Sequence, residues 1–336
     1  MLMPDAARRI TSARRSGRVA QLIARVALAA SVAVAAHAQA PLPGAQRIEF
    51  EVATAGGATQ KIFGHAFTPE RAPQGARLPG IVILHGSEGL SDAREGFWGR
   101  ELAALGMVAL AVDSFTPRGV KTTVDDQTRV TTGTMLVDAF EALAFLSRQP
   151  FIDPARVVVM GTSKGGGAAL LASDRRAQAS GQPQSFRAHV ALYPFCYSQY
   201  RTPQPSAPLL MLIGELDDYT GVKTCADYAA RMRKAGGMVE LKTYKGAKHG
   251  FDGDLRNQGG YELANAQNFR DCVMLLEDDG RTVLAKTGAV LDTPQKALDA
   301  LKRECMRTGA TLAADEKAKQ QALNDVKAFL KTHLLN

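Results

Sequence analysis

The stretch Val157-Val158-Val159-Met160-Gly161-Thr162-Ser163-Lys164-Gly165 decides the fold of this chain. It is an apolar run that ends in the pattern G-x-S-x-G and leads into an alanine-rich segment. Short apolar runs rich in β-branched residues are typical of buried strands, and flanking glycines permit a very tight turn from a strand into a helix. The sequence therefore predicts a nucleophile elbow that presents the hydroxyl of Ser163 at its tip.

Apolar runs alternate with helical patterns on both sides of this elbow. The runs that predict an initial antiparallel pair of strands are 47–53 and 61–67, and those that predict the centre of the sheet are 81–84, 108–112, 157–160, 189–193, 209–213 and 239–244. The patterns that predict helices cover 93–105, 133–147, 165–172, 223–235, 294–307 and 315–334. This alternation is typical of an α/β protein whose mostly parallel sheet carries helices on both faces.

A serine nucleophile needs a base to take its proton and an acid to orient that base. Asp217 follows the strand predicted over 209–213, and His249 follows the strand predicted over 239–244. The order serine, aspartate, histidine is that of the α/β-hydrolase fold. Asp218 is an alternative acid, but Asp217 is preferred because it lies three residues past Gly214. The alternative for His249 is an ordinary histidine of a surface loop.

The segment His85-Gly86-Ser87 follows the strand predicted over 81–84 and supplies the second half of an oxyanion hole. We expect the backbone N–H groups of Ser87 and Lys164 to be the donors, because the second of these lies at a helix N-terminus. The side chain of Lys164 either attracts anionic substrates or is solvated, and the solvated state is preferred. His85 is expected to brace the loop.

Four further residues are candidates for the substrate pocket. The aromatic side chains of Trp98, Tyr193 and Phe195 lie near loops that should surround the nucleophile, and an apolar acyl or aromatic group could pack there. The alternative is that Trp98 belongs to the core between helix and sheet and that Tyr193 lines a disulfide loop. Arg118 either binds a substrate carboxylate or forms an ion pair that braces its loop, and the second role is slightly favoured.

The four cysteines, Cys196, Cys225, Cys272 and Cys305, all lie beyond the N-terminal leader described below. An even number of cysteines in an exported protein favours two disulfides. Three pairings are possible, and we prefer Cys196 with Cys225 and Cys272 with Cys305, because each would join neighbouring segments. The alternative is four reduced thiols in the core. The sequence has no C-x-x-C or Cys/His spacing typical of a metal site.

Residues 1–38 have the pattern of a signal peptide, with arginines from Arg8 to Arg18 and an almost purely apolar run over 26–36. That run is too short to span a bilayer, and small residues precede the preferred cleavage site after Ala38. An uncleaved anchor is the alternative, and the export route is open. Removing this leader lowers the formal net charge from +8 to +3. We therefore expect a periplasmic or secreted protein with no nucleic-acid partner and no stable membrane association.

About 60 residues separate His249 from the last predicted helix, where a short connection would suffice. The turn Asp278-Asp279-Gly280 between two apolar runs is a hairpin signal, and the helix over 294–307 brings Cys305 back towards Cys272. We interpret the region around 254–312 as a disulfide-stapled insertion in a single domain that covers 39–336.

Several motifs together resemble the dienelactone hydrolase family, in its exported branch. They are the 161–166 elbow, the 85–87 loop, the segment 113–119, the run 193–196, and the segments 214–218 and 247–251. The resemblance covers roughly residues 45–335. It implies an eight-stranded α/β-hydrolase core with little or no cap, and hydrolysis of esters or lactones without a cofactor.

Two departures from the namesake enzymes of the family limit what the resemblance implies. Those enzymes use a cysteine nucleophile and a glutamate in the loop after the third strand, where this chain has Ser163 and Gly86. They also bind a substrate carboxylate with two arginines. Arg118 approximately matches one of these, but the stretch 251–254 contains no arginine that could match the other. Dienelactone itself is therefore not the expected substrate.

The predicted function is hydrolysis of a small-molecule carboxylic ester through an acyl-enzyme. One alternative is a peptidase or amidase on the same fold, although neither the large N-terminal domain nor the amine-binding acids of such relatives is evident. The other is a non-catalytic binding protein that retains the fold. The intact set of Ser163, Asp217 and His249 argues against the second alternative.

Overall fold

A computed structural model describes residues 41–53, 57–71, 75–178 and 184–335. The predicted signal peptide, residues 1–38, lies outside the described residues, so its cleavage stays a prediction. Among the described helices, none is both long enough and apolar enough to cross a bilayer.

The described chain contains a large central sheet and several short strand pairs. The strands are β1 Gln46–Ala53, β2 Thr59–Phe67, β3 Leu78–Leu84, β4 Val108–Asp113, β5 Ile152–Thr162, β6 His189–Leu192, β7 Ser198–Tyr200, β8 Leu209–Gly214, β9 Val239–Tyr244, β10 Tyr261–Glu262, β11 Gln267–Asn268, β12 Met274–Leu276, β13 Thr282–Leu284, β14 Arg307–Thr308 and β15 Thr311–Leu312. The helices are α1 Phe97–Ala104, α2 Thr132–Ser147, α3 Lys164–Ala172, α4 Val222–Lys234, α5 Pro294–Glu304 and α6 Glu316–Leu330.

The central sheet has eight strands in the order β1-β2-β4-β3-β5-β6-β8-β9. β1 pairs antiparallel with β2, and β2 pairs antiparallel with β4, whereas the remaining neighbours are parallel. The carboxyl ends of the parallel strands therefore meet at one edge of the sheet. This arrangement is the α/β-hydrolase fold, as the sequence predicts, with the expected antiparallel N-terminal strands.

Helices cover both faces of this sheet. Side chains of α2 and α3 pack into the apolar cluster on one face, and side chains of α1, α4 and α6 pack into the cluster on the other. The strands between these layers are buried on both sides, and every residue of β4 and β8 is buried. This double burial explains why the central strands are almost continuous apolar runs in the sequence.

Two predicted helices differ from the observed ones at their ends. A single wide turn over Asp92–Gly96 precedes α1, which begins at Phe97 instead of residue 93. The helix predicted over 294–307 ends at Glu304, because Cys305 is held in a disulfide and Arg307–Thr308 pairs with Gln267–Asn268. Contacts between residues that are distant in sequence therefore determine where α5 ends.

The structure contains two disulfides, Cys196–Cys225 and Cys272–Cys305, with no free cysteine in the described residues. This is the pairing preferred in the sequence analysis. The first bond connects the segment after β6 to α4, and the second closes a loop within the insertion.

The insertion, residues 254–312, forms a cap over the carboxyl edge of the sheet. Its β12 and β13 form the predicted hairpin, but β12 also pairs in parallel with β7, which lies outside the insertion. Leu312 in β15 forms a bridge with His249 of the core. The expectation of little or no cap was therefore wrong, because the insertion is folded back across the sheet edge and not only stapled to itself.

The buried His189 at the start of β6 predicts that the protein becomes less stable as the pH falls. It is fully buried, and burial lowers its pKa to about 4, although the carbonyl groups of Pro208 and Ala172 oppose this shift. The usual pKa of histidine is about 6.5, so between pH 6.5 and 4 the unfolded chain binds a proton that the folded chain does not. We expect this group to lower the free energy of unfolding by up to roughly 3 kcal/mol as the pH falls through that window.

Chemical denaturation of the wild type and of His189→Leu at several pH values between 7 and 4 measures this effect. The variant should lose less stability on acidification than the wild type, whereas His333→Leu, at a partly exposed histidine, should behave like the wild type. Parallel pH profiles for all three proteins would contradict the prediction.

Candidate active site

The turn between β5 and α3 has the geometry of a nucleophile elbow. Ser163 lies between the two elements with a positive φ of 52°, a backbone conformation that costs energy for any residue other than glycine. A Cβ atom at Gly161 would lie 2.1 Å from the carbonyl oxygen of Gly165, and one at Gly165 would lie 2.3 Å from that of Leu84. Both glycines are therefore required for the strand, the turn and the helix to approach this closely.

Three side chains from three strand ends meet at this elbow. The hydroxyl Oγ of Ser163 lies 2.9 Å from Nε2 of His249, and Nδ1 of His249 lies 2.8 Å from Oδ2 of Asp217. If Nδ1 carries the proton and donates to the carboxylate, Nε2 is the acceptor for the serine hydroxyl. The structure thus brings together the three residues selected from the sequence.

The carboxylate of Asp217 is buried and fully engaged. Its Oδ1 accepts hydrogen bonds from the backbone N–H groups of Tyr219 and Thr220, and its Oδ2 accepts one from the Thr220 hydroxyl. Burial acts to raise the pKa of Asp217, but His249 and the donors on Thr220 outweigh it and hold that pKa below its usual value. Asp217 is therefore ionised at neutral pH and favours a positively charged imidazole on His249.

The neighbouring Asp218 has a different position. Its Oδ1 accepts a hydrogen bond of 2.9 Å from the backbone N–H of Thr311, and its backbone carbonyl accepts bonds from Asn268 and Arg270. All three donors belong to the cap. Asp218, the alternative acid of the sequence analysis, thus joins the cap to the end of β8.

The loop 85–87 lies directly against the nucleophile. A Cβ atom at Gly86 would lie 3.2 Å from Cβ of Ser163, and the carbonyl of His85 accepts a hydrogen bond from the N–H of Gly165. Within the described residues, the backbone N–H groups of Ser87 and Lys164 have no recorded hydrogen-bond acceptor. These two donors are therefore free to bind an oxyanion. His85 braces the loop, since its Nε2 accepts from the N–H of Ser114.

The side chain of Lys164 is not solvated, and that expectation was wrong. Only 1% of the residue is exposed, and its Nζ donates to the Thr123 hydroxyl and to the carbonyl oxygens of Gln127 and Val130. Burial lowers the pKa of Lys164 to about 7, against the opposing effect of Asp126. The lysine therefore fastens the 122–130 loop to the elbow, a role that depends on a distant segment and has no signature in the motif itself.

The space around the nucleophile is very small. The catalytic cavity has a volume of about 10 Å³, which is enough for about one water molecule. Ser163 is 5% exposed and His249 is 2% exposed. The elbow alone predicts a hydroxyl presented to solvent, and that expectation was wrong, because Leu263 and Leu312 of the cap border the cavity.

Only one of the four predicted pocket residues borders this cavity. Tyr193 does so, with its ring 4.6 Å from that of His249. Trp98 is fully buried and donates to Asp252, whereas Phe195 packs between Tyr197 and Tyr219.

Arg118 is held away from the cavity by a buried partner. Both of its terminal nitrogens donate to the carboxylate of Asp138, at 2.7 and 2.8 Å. In this structure Trp98 and Phe195 therefore lie in the core and not in the cavity wall, and Arg118 forms the ion pair that the sequence analysis slightly favours.

Sequence reasoning missed several residues of the site. Arg94 borders the cavity and lies 3.4 Å from Asp252 and 3.7 Å from Glu88, and neighbouring negative charges raise its pKa against the effect of burial. Tyr219 lies two residues past Asp217, and its ring packs against His249 at 5.0 Å. Proximity to Asp217 is the one sequence signal that could have identified Tyr219, whereas Arg94 lies in no recognisable motif. Within the described residues, no cluster of three or more His, Cys, Asp or Glu side chains could hold a metal ion.

Known proteins resemble this chain in sequence and in fold. A model of the dienelactone hydrolase family matches residues 64–278. A curated relative, the probable 2-oxo-3-(5-oxofuran-2-ylidene)propanoate lactonase of Bradyrhizobium sp, is 25% identical over 204 residues, which are 54% of this chain and 76% of the relative.

Among solved structures, Thermogutta terrifontis esterase 2 is similar in fold. Its form phosphoramylated by tabun has a TM-score of 0.52, and its apo form has a TM-score of 0.51. Both are 20% identical to this chain, and the match covers 64% of this chain and 88% of the esterase. At this level of identity the likeness establishes the fold alone.

The close approach at Gly165 predicts a strong effect of one methyl group. In Gly165→Ala the new Cβ would meet the Leu84 carbonyl, a backbone atom that cannot move aside, so we expect a loss of about 3 kcal/mol in the free energy of unfolding. Gly133→Ala is the matched control, because Gly133 is likewise the second residue of its helix and its Cβ would meet nothing closer than 3.6 Å. Denaturant unfolding of both variants measures the difference, and equal stabilities would contradict the geometry.

Proposed function

The chain belongs to the dienelactone hydrolase family and is a carboxylic ester hydrolase, and we propose that it cleaves esters or lactones through an acyl-enzyme formed on Ser163. The observation that carries this proposal is the hydrogen-bonded chain from Ser163 through His249 to Asp217, with contacts of 2.9 and 2.8 Å. These are the distances over which a proton can move between a nucleophile and its base.

The first half of the proposed reaction forms the acyl-enzyme. Nε2 of His249 takes the proton of the Ser163 hydroxyl while Oγ attacks the carbonyl carbon. The negative charge that develops on the carbonyl oxygen is stabilised by the N–H groups of Ser87 and Lys164, which have no other acceptor in the described chain. His249 then protonates the leaving alkoxide, and the ester C–O bond breaks.

The second half returns the free enzyme. His249 takes a proton from a water molecule, and the resulting hydroxide equivalent attacks the acyl carbon. The intermediate collapses, Ser163 regains its proton from His249, and the carboxylic acid leaves. The buried and ionised Asp217 stabilises the imidazolium in both halves. No cofactor is needed in this scheme.

We further propose that the protein acts in the periplasm or outside the cell. The supporting observations are the signal-like leader over 1–38 and the two disulfides of the structure. Disulfides form and persist in oxidising compartments. In this proposal the mature enzyme is a single domain that begins at residue 39.

Replacing Ser163 tests the acyl-enzyme. Ser163→Ala should lower kcat for a short-chain p-nitrophenyl ester by roughly 10⁴-fold or more and abolish labelling by a fluorophosphonate probe, because both need the same nucleophile. Circular dichroism of the variant checks that it is folded. A folded Ser163→Ala protein with wild-type activity would exclude this mechanism, and an unlabelled wild type would favour the non-catalytic alternative.

The two adjacent aspartates offer a matched pair of variants. Asp217→Asn cannot stabilise the imidazolium, and we expect kcat/KM to fall by about 10³- to 10⁴-fold. Asp218→Asn keeps an oxygen that can accept from Thr311, so its loss should be below about tenfold. Steady-state kinetics with one ester compares them directly. An equal or larger loss in Asp218→Asn would mean that the acid has been assigned to the wrong residue.

A further inference from the structure

A second and much larger cavity lies beside the catalytic cavity. It has a volume of about 380 Å³, whereas the catalytic cavity has about 10 Å³. Pockets that bind small molecules commonly measure about 300 to 1,000 Å³. The reacting ester group has to lie at Ser163, but the catalytic cavity cannot also contain the rest of a substrate.

The larger cavity lies between the cap and the body of the enzyme, and its interior is mainly apolar. Leu171 and Tyr197 border it from the body, and Phe269 and Leu301 border it from the cap. Each of these four side chains is at most 5% exposed. Exposed polar residues such as Asp292 and Thr293 lie at its rim. Such a lining favours a hydrocarbon or aromatic group over a charged one.

A single layer of side chains separates the two cavities. Lys164, the residue after the nucleophile, borders the larger one, as does Gln127. The side-chain amide of Gln127 also donates to the Tyr219 hydroxyl at 3.2 Å and accepts from the Ser87 hydroxyl at 3.1 Å, and both of these residues border the catalytic cavity. A substrate that extends from Ser163 into the larger cavity has to displace these hydrogen bonds, and the polar groups then have to bond to the ester or to water.

Aromatic contacts continue from one cavity to the other. The ring of Tyr219, which packs against His249, contacts Phe195 at 5.5 Å, Phe195 contacts Tyr197 at 5.0 Å, and Tyr197 contacts Phe269 at 5.4 Å. Packed aromatic rings therefore connect His249 to the wall of the larger cavity.

The position of His249 decides which half of the ester the larger cavity receives. The leaving alkoxide must lie within reach of Nε2 of His249, because that atom protonates it. His249 and Tyr193 border the catalytic cavity but not the larger one, which is reached past Lys164. The leaving group thus stays on the histidine side, and the acyl group extends past the oxyanion hole.

We propose that the cavity of about 380 Å³ binds the acyl group of the substrate, and that this group is an uncharged medium-length alkyl chain or an aromatic ring. This inference rests on the proposed function, since it extends the substrate from an acylated Ser163. It predicts that the enzyme discriminates among esters by their acyl group and not by their alcohol group.

Two p-nitrophenyl esters with the same leaving group, the acetate and the octanoate, test the proposal. Wild-type kcat/KM should be at least about tenfold higher for the octanoate, because its extra methylene groups are buried. Ala297 borders the cavity from a partly exposed position on α5, so Ala297→Trp places a large ring in the cavity. This variant should lower the octanoate-to-acetate ratio by at least about tenfold.

Lys302→Trp is the matched control, because Lys302 is an exposed residue of the same helix and does not border the cavity. It should keep the wild-type ratio. Leu298→Trp, at another partly exposed residue of the cavity wall, should repeat the effect of Ala297→Trp if that variant folds poorly.

The outcomes separate this inference from the proposed function. Acetate hydrolysis that depends on Ser163, together with a ratio unchanged by both tryptophan variants at 297 and 298, overturns the acyl site and leaves the proposed function intact. Acetate hydrolysis that persists in Ser163→Ala overturns the proposed function and this inference together.

Discussion

The backbone contact at the elbow is the constraint on which the rest of the site depends. Strand β5, the turn at Ser163 and helix α3 approach so closely that residues 161 and 165 have no room for a side chain. The same contact leaves the Lys164 N–H at the start of a helix, where it lacks an intrahelical acceptor, and ties Gly165 to the carbonyl of His85. Backbone geometry thus fixes Ser163 and the two N–H groups that we propose as oxyanion donors, and flexible side chains are needed only for the proposed proton transfers.

The parallel sheet supplies the other two members of the site at the same edge. β8 and β9 end beside each other, so the residues that follow them reach the elbow without long connections. Asp217 and Asp218 are adjacent in sequence but bind different parts of the protein. The first carboxylate faces His249, and the second accepts from the cap at Thr311. One turn therefore connects the residues of the proposed triad to the cap.

The parts of this structure that follow from short stretches of sequence were predictable, and the parts that follow from distant contacts were not. The central strands are buried on both faces and can be predicted from their apolar runs. Ser163, Asp217 and His249 each follow a strand at a short distance. The course of the cap depends on the pairing of β12 with β7 and of β10 with β15, which no local pattern specifies. The role of Lys164 was misjudged and that of Arg118 was left open for the same reason. The partners of Lys164 lie 34 to 41 residues away in sequence, and the partner of Arg118 lies 20 residues away.

The charged side chains near Ser163 support the proposal that the acyl group is uncharged. Three basic side chains lie around the site, and each is already compensated. Arg118 is bound to Asp138, Lys164 donates to three acceptors of the 122–130 loop, and Arg94 lies beside Asp252 and Glu88. A substrate carboxylate at Arg118 or Arg94 would have to displace Asp138 or Asp252 and leave that buried acid unpaired, which is costly, whereas the acceptors of Lys164 are neutral groups. The namesake enzymes of the family bind such a carboxylate with two arginines, whereas here the space beyond the nucleophile is lined by Leu171, Tyr197 and Phe269. Under the proposed function, this apolar lining suits esters of neutral acids better than dienelactone-like substrates.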